Sequence, residues 1–209
     1  MKALLAVSRA IDALSERIGQ AIYWLVLATV LISAANATVR KLFNYSSNAY
    51  LEIQWYLFSL IFLFCAGYTL KHNEHVRIDI ITARFSARVR AGIDIFGTLF
   101  FLMPMAGLIM WLSWPLFVDA YTRHEVSTNA GGLVIWPARL MVPVGFFLLL
   151  VQAVSELIKR VAFLNNLIPD PNEKIVTRTP EEELAEEILR ARGEQAVAAD
   201  AAKRQDAQS

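Results

Sequence analysis

The sequence has 209 residues, of which 56% are hydrophobic and 19% are charged, and its mean hydropathy is +0.42. A soluble domain of this length needs one core rather than several apolar runs of bilayer length, so the composition favours an integral membrane protein. The formal net charge is +1, and the basic residues lie beside apolar runs, as membrane flanks do, rather than in a nucleic-acid patch. The single cysteine, Cys65, excludes a disulfide framework within the chain.

The N-terminal part combines an amphipathic segment with a first apolar run. Residues 1–17 interleave apolar and charged side chains, which predicts an interfacial helix leading into a first span at residues 18–39. A cleaved signal peptide is the competing interpretation, because residues 35–37 look like a cleavage site after an apolar region. The long polar lead-in and the basic pair Arg40 and Lys41 favour an uncleaved anchor.

The second apolar run, residues 53–70, starts after Glu52 and ends at Lys71. Its 18 residues extend about 27 Å as a helix, close to the roughly 30 Å of a hydrocarbon core. Ionised groups inside that core cost several kcal/mol, so the two charges mark the ends of the span. Residues 76–90 follow with an apolar stripe beside an arginine stripe, which predicts an amphipathic helix in the membrane interface. An ordinary polar loop is the alternative.

Two further spans are predicted at residues 91–114 and 133–158, separated by a turn-rich connector at residues 127–132. The third contains Pro104, which is expected to kink it, and the fourth opens with a Trp-Pro pair. Residues 165–209 form an acidic tail that is predicted to be largely disordered and cytoplasmic. Within the tail, a cap residue followed by proline and glutamates predicts a short helix at about residues 180–192.

The predicted fold class is therefore an all-α integral membrane protein with a four-helix membrane domain, residues 18–164, and an amphipathic helix on the cytoplasmic face between spans 2 and 3. The orientation follows from the distribution of Lys and Arg. Ten of them lie on the side of the N-terminal segment, the 71–90 connection and the exit of span 4. The other side carries only Arg40, Lys41, Arg123 and Arg139. The positive-inside rule then predicts cytoplasmic termini.

Three charged residues at the ends of spans are candidates for intramembrane pairing. Glu52 is hypothesised to pair with Arg139 or Arg40, and Asp94 with an arginine of the 77–90 segment. The alternative is that each charge reaches water or headgroups alone. Membrane-interface anchoring is expected from the indole rings near span ends and from two arginines of the amphipathic segment: Trp24, Trp55, Trp111, Trp114, Trp136, Arg84 and Arg88.

The sequence offers no constellation for catalysis. Two histidines, His72 and His75, lie close together, but their spacing is not that of a zinc-binding helix and no third ligand is apparent. We therefore expect no enzyme activity, no metal and no cofactor. The centres of the spans are rich in Leu, Ile, Phe and Val, whereas a transporter core commonly holds several polar residues at mid-membrane depth. This pattern favours a protein that packs against another membrane protein.

Several short motifs occur in a characteristic order: Glu52, Tyr68-Thr69-Leu70-Lys71, His75-Val76-Arg77-Ile78-Asp79, Gly131-Gly132-Leu133, Trp136-Pro137, Pro143-Val144-Gly145-Phe146 and Leu150-Val151-Gln152. In this order and spacing, over about residues 10–160, the chain resembles the small permease subunit (DctQ-type) of tripartite ATP-independent periplasmic (TRAP) transporters. The resemblance singles out Glu52, His75, Arg77 and Asp79 as structural motif residues.

The resemblance implies a large multi-span permease subunit and a periplasmic substrate-binding protein as partners, in the inner membrane of a bacterium. It implies uptake of an organic acid driven by sodium ions, which bind in the large subunit only, so no substrate site is expected in this chain. The small subunit is then a membrane scaffold. Its outer basic residues, Arg40, Lys41 and Arg123, are candidates for docking the periplasmic protein. The alternative is an unrelated accessory subunit of another inner-membrane complex.

Overall fold

The computed structural model describes residues 2–43, 48–72 and 85–169 of the chain. Within these ranges the regular structure is helical, and the five α-helices are α1 (Lys2–Phe43), α2 (Asn48–Lys71), α3 (Ala87–Gly97), α4 (Met103–Thr122) and α5 (Trp136–Leu164). A π-helical segment, Thr98–Leu102, joins α3 to α4, so that Ala87–Thr122 forms one continuous helical segment, called the third span below.

Four helical segments, formed by α1, α2, the third span and α5, are long and apolar enough to cross a membrane. The predicted all-α class with four spans is thereby confirmed. The 42 residues of α1 extend about 63 Å, roughly twice the thickness of a hydrocarbon core, so α1 is much longer than one crossing requires.

The ends of the helices differ from the predicted ones. No break separates the lead-in, predicted at residues 1–17, from the first span, because the chain from Lys2 onward forms the continuous helix α1. The third span was expected at residues 91–114 but runs from Ala87 to Thr122, with Pro115 inside α4. In an apolar environment, ending the helix would leave several backbone groups without hydrogen-bond partners, whereas a proline inside it removes only one hydrogen bond. The helix therefore continues through Pro115.

Other predicted boundaries are shifted or lie outside the described residues. The fourth span starts at Trp136, as the Trp-Pro pair suggested, and extends to Leu164 rather than residue 158. Most of the predicted amphipathic helix at residues 76–90 lies outside the described ranges, and its last four residues form the first turn of α3. The tail beyond residue 169, with its predicted short helix, also lies outside them.

The π-helical segment lies directly before Pro104 in the third span. The N–H of Met103, at the end of this segment, donates to the carbonyl of Thr98, five residues earlier. Pro104 has no N–H, and in an α-helix its ring would clash with the carbonyl four residues before it. The wider π turn accommodates the proline within a continuous helix.

The centre of the bundle is α5, which packs against α1, α2 and both parts of the third span, while α1 and α2 also pack against each other. Small residues allow these close approaches. Ala153 and Ala162 of α5 are fully buried, and Gly67 of α2 lies opposite Gln152. Many large apolar side chains point outward instead, as expected for a surface that meets lipid or another membrane protein.

Candidate functional site

Glu52 lies in the second turn of α2 and binds the connection between α4 and α5. The residue is 5% exposed, and its carboxylate accepts hydrogen bonds from the Ser127 hydroxyl, from Nδ2 of Asn129 at 2.9 Å and from the backbone N–H of Leu133 at 2.7 Å. Hydrogen bonds to an ionised acceptor are stronger than those between neutral groups. This cluster, called the Glu52 site, fixes the connection onto the start of α2.

The backbone of the connection is arranged to present these donors. Val126 and Val134 form an isolated antiparallel bridge, and between them the N–H of Gly132 donates to the carbonyl of Asn129 at 2.9 Å. Gly131, at the third position of this turn, has a φ of +72°, a conformation that favours glycine over other residues. The turn-rich sequence of the connector is therefore used to close a tight loop.

Gly132 permits the close approach between the connection and α2. A Cβ at this position would lie 2.5 Å from Cβ of Ser127 and 2.9 Å from Oε1 of Glu52, which leaves no space for a side chain. Two further donors of α2, Nδ2 of Asn48 and the hydroxyl of Tyr56, bond backbone carbonyls of the same connection at 3.1 and 3.0 Å. The first turns of α2 and the connection thus form one hydrogen-bonded unit.

Arg139 does not pair with Glu52, which corrects the predicted pairing. Its guanidinium forms a two-pronged pair with Glu125, with both N···O distances at 2.8 Å, and also donates to the Leu116 carbonyl at 3.2 Å. Arg40, the other expected partner, is exposed in the last turn of α1. The acceptor positions of Glu52 are instead used by uncharged donors of the connection.

At the opposite end of the bundle, α1 and α5 are joined by buried polar side chains. The hydroxyls of Ser8 and Ser155 lie 2.7 Å apart, and Oδ1 of Asp12 accepts from the Ser155 hydroxyl and from Nε2 of Gln152, both at 2.9 Å. The Ser15 hydroxyl donates to Oε1 of Gln152 at 2.7 Å. Gln152 and Ser155 are fully buried, so their hydrogen-bonding capacity is met within the bundle.

The same contacts continue through charged residues to the third span. Lys159 pairs with Glu156 at 2.5 Å and with Asp12 at 3.2 Å. Arg160 pairs with Glu156 at 2.7 Å and with Asp94 of α3 at 3.1 Å. Asp94 was expected to meet an arginine of the 77–90 segment, most of which lies outside the described residues, and within those residues its carboxylate contacts Arg160 of α5. These residues of α1, α3 and α5 together are called the Gln152 network below.

Sequence reasoning missed the Gln152 network because the N-terminal segment was interpreted as an interfacial helix. A signal was nevertheless present. Ser8, Asp12 and Ser15 are spaced by four and three residues, and Gln152 is followed by polar residues three, four and seven positions later, so each helix carries a polar stripe on one face. Two such stripes on long helices indicate that the helices pack against each other through polar contacts.

A separate ion pair connects α1 to the end of α2. Oε2 of Glu16 lies 2.5 Å from Nζ of Lys71 and 3.1 Å from Nε2 of His72, and the ring of His72 lies against Tyr68. His72 was considered as a metal ligand. Among the described residues, no group of three His, Cys, Asp or Glu side chains is arranged to hold a metal, and His75 lies outside those residues.

The other candidate residues are distributed over the surface or lie outside the described ranges. Arg40 and Lys41 are exposed, and Arg123, with a side chain 75% exposed, pairs with Asp119 at 2.6 Å. Arg88 is exposed and donates to Oδ1 of Asn166 at 3.0 Å. The motif residues Arg77 and Asp79 and the expected anchor Arg84 lie in the segment that is not described.

The tryptophans expected at the membrane interface occupy two kinds of position. Trp136, at the start of α5, packs edge-on against Tyr121, with the ring centres 5.6 Å apart. The other four have their rings on the outside of the bundle: Trp24, Trp55, Trp111 and Trp114. Their contact with headgroups stays a prediction.

Four apolar spans whose charged side chains are collected at the two ends define a multi-pass membrane protein. The family described as tripartite ATP-independent periplasmic transporters, DctQ component, matches residues 29–163, which is more than half of the chain. The chain belongs to this family, which is a family of transporter components and not of enzymes, and is a small membrane subunit of a TRAP transporter. Neither a search of curated proteins nor a search of solved structures finds a significant match.

Proposed function

We propose that this chain is the fixed membrane scaffold on which the large permease subunit moves an organic acid inward with sodium ions. The periplasmic substrate-binding protein delivers the acid, and the sodium ions bind in the large subunit. Membership of the DctQ component family supports the tripartite assembly. The separate roles proposed for the two membrane subunits are inferred from the positions of the charged residues in this chain.

The observation that carries the proposal is the absence of charge from the middle of every span. Residues 18–39, 53–70, 95–118 and 140–155 contain no Asp, Glu, Lys, Arg or His. Transport of a carboxylate or a sodium ion needs polar or charged groups near the midplane of the membrane. The substrate path therefore belongs to the large subunit, and this chain supplies a wall beside it.

A scaffold must also keep its shape while its partner moves, and the polar contacts serve that purpose. The Glu52 site attaches the connection before α5 to α2, and the Gln152 network attaches α5 to α1 and α3. Breaking a buried ion pair leaves an uncompensated charge, which is strongly unfavourable in an apolar environment. Both ends of the central helix α5 are therefore held.

The reconstitution experiment compares proteoliposomes that contain the large subunit with this chain, the large subunit alone, or this chain alone. Each is supplied with the loaded substrate-binding protein outside and an inward sodium gradient. Sodium-dependent uptake of the radiolabelled acid is expected only with both membrane subunits. Uptake by this chain alone would contradict the scaffold proposal.

The proposed location is the bacterial inner membrane, with both termini in the cytoplasm and the Glu52 site at the periplasmic end. The excess of Lys and Arg on the side of the termini, ten against four, supports this orientation. A reporter inserted after Ser47 is expected to show periplasmic exposure, and cytoplasmic activity of that reporter would reverse the orientation.

Docking of the substrate-binding protein is proposed to use the exposed basic residues at the periplasmic end of α1. Neutralising Arg40 and Lys41 to Gln is expected to slow association of the binding protein several-fold, because exposed charges mainly steer encounter. The matched control neutralises Arg9 and Arg17, which are exposed near the opposite end of the same helix. Equal association rates for the two double variants, measured on nanodiscs by surface plasmon resonance, would remove the docking role.

A further inference from the structure

A continuous apolar stripe runs along α1. It begins with Leu4, Val7, Ile11 and Leu14 and continues in the same alternating steps of three and four residues to Leu42. No polar residue interrupts this repeat, which is called the α1 stripe. A repeat of this kind keeps its members on one face of a helix, where a second helix can pack by winding gently around the first.

The α1 stripe lies on a face that the rest of the described chain leaves uncovered. All of its members are exposed or half-exposed, and Leu4, Val7 and Leu14 are about half exposed although they are large and apolar. Other faces of α1 hold it in the bundle, since Ser8 bonds to α5 and Glu16 bonds to the end of α2. The stripe is therefore available to a partner without any change in the bundle.

The cytoplasmic end of the stripe favours a protein over lipid as the occupant. The ion pair of Glu16 with Lys71 marks the edge of the hydrocarbon, because ionised groups inside it are costly. Val7 and Leu4 precede Glu16 by nine and twelve residues, about 14 and 18 Å along the helix. The headgroup layer adds only about 5–8 Å on each side of the membrane. Large apolar side chains that are exposed beyond this layer indicate a contact with protein.

The sizes of the residues within the membrane favour a different chain over a second copy of this one. Ala21, Ala28 and Ala35 recur every seven residues, and Leu25 and Ile32 lie between them in the stripe. Two parallel copies would place alanine opposite alanine at three levels and large residues opposite each other between them, which leaves voids. A helix with large residues opposite the alanines, and small residues opposite Leu25 and Ile32, fills the contact.

We propose that the α1 stripe binds one long helix of the large permease subunit. That helix crosses the membrane beside α1 at about 20°, the usual angle for helices that pack on such a repeat, and continues into the cytoplasm as far as Leu4. Its own sequence carries the complementary alternation of large and small residues. This inference rests on the proposed function, in which the chain lies beside a large membrane subunit, and it assigns that contact to one face of one helix.

The first test uses the photoreactive residue benzoylphenylalanine in cells that make all three components of the transporter. It is placed in the stripe at Leu14 or Ala35, and at the control positions Ala13 and Ala37, which are exposed on other faces of α1. Exposed Phe100, on the third span, is the reference position. Illumination should link the two stripe positions to the large subunit, with little product from the two controls.

The products of this test separate the inference from the proposed function. A link between two copies of this chain at the stripe would make the occupant a second copy and overturn the inference. If Phe100 or the control positions became linked to the large subunit and the stripe did not, the assembly would stand and the assignment to α1 would be wrong. If none of the positions became linked to the large subunit, both the inference and the proposed assembly would be refuted.

The second test changes the packing at the stripe and measures the amount of large subunit that copurifies with this chain. Ala35→Leu should lower that amount about fivefold or more, the effect of one overpacked side chain, whereas exposed Ala37→Leu should leave it unchanged. Val7→Gln should also lower it, and its control is Ala6→Gln, at an exposed position on another face. Circular dichroism of each purified variant checks that the bundle is folded. Equal copurification within either pair of folded variants would overturn the inference at that end of the stripe.

Discussion

Gly145 provides the most direct test of how α5 is held against α2. A Cβ at this position would lie 2.7 Å from Cβ of Leu63 and 3.3 Å from the Leu63 carbonyl oxygen. The positions of both atoms are fixed by the backbone of α2, so neither can move away by a change of rotamer. An alanine at Gly145 therefore fits only if the two helices separate or shift along each other.

The size of the effect is obtained by comparison with a glycine that has space. Overpacking of this kind destabilises a fold by about 1–3 kcal/mol. Alanine is a better helix former than glycine by about 1 kcal/mol, which offsets part of that loss. At Gly107 of α4 a Cβ meets nothing within 4 Å, so Gly107→Ala gives the propensity gain without the clash. The difference between the two variants isolates the packing effect, about 1–3 kcal/mol.

The free energy of unfolding can be measured by titrating the purified chain from mild detergent into dodecyl sulfate and following the helical circular dichroism signal. Gly145→Ala is expected to unfold at a lower dodecyl sulfate fraction than wild type, and Gly107→Ala at the same or a higher fraction. If the two variants unfolded together, the close contact between α5 and α2 would be refuted.

The remaining predictions concern the two polar clusters. Gln152→Leu removes the acceptor of Ser15 and a donor to Asp12, so the free energy of unfolding should fall by about 1 kcal/mol. The control Gln20→Leu, at an exposed position, should leave it unchanged. Equal free energies of unfolding for the two variants would show that the Gln152 network does not stabilise the bundle. Glu52→Gln places an amide, which can accept through one oxygen only, among three donors, so the connection is held less firmly. Hydrogen–deuterium exchange followed by mass spectrometry should then show faster exchange of the backbone amides of residues 126–134. Asp119→Asn, which affects only an exposed pair, is the control, and unchanged exchange in the Glu52 variant would contradict its role.

The number and approximate position of the spans could be predicted from the sequence, because bilayer-length apolar runs are a strong and local signal. The ends of the spans were harder to predict. The third span was expected to end at residue 114, yet α4 continues through Pro115 to Thr122. The lead-in looked interfacial, yet its polar face packs on α5 through Ser8 and Asp12. In both cases the end or the role of the segment depends on packing partners that are distant in the chain. A local sequence pattern does not contain that information.

The partners of the charged residues could not be predicted for the same reason. Glu52 was singled out as a charge at a span end, but its donors lie 75 to 81 residues away in a loop whose path depends on two glycines. Asp12 and Lys159 are separated by 147 residues. The polar stripes on α1 and α5 were visible, while the register that aligns them follows from the packing of the whole bundle.

The central claim is that the bundle stays fixed during transport, and a reversible cross-link tests it most directly. The hydroxyls of Ser8 and Ser155 lie 2.7 Å apart, so Ser8→Cys with Ser155→Cys, in a Cys65→Ala background, should form a disulfide between α1 and α5 on oxidation. In proteoliposomes with the large subunit and the substrate-binding protein, sodium-dependent uptake should be the same before and after oxidation, as in the single-cysteine controls. Uptake that falls on oxidation and returns on reduction would show that α1 and α5 move apart during transport, and the scaffold account would be wrong.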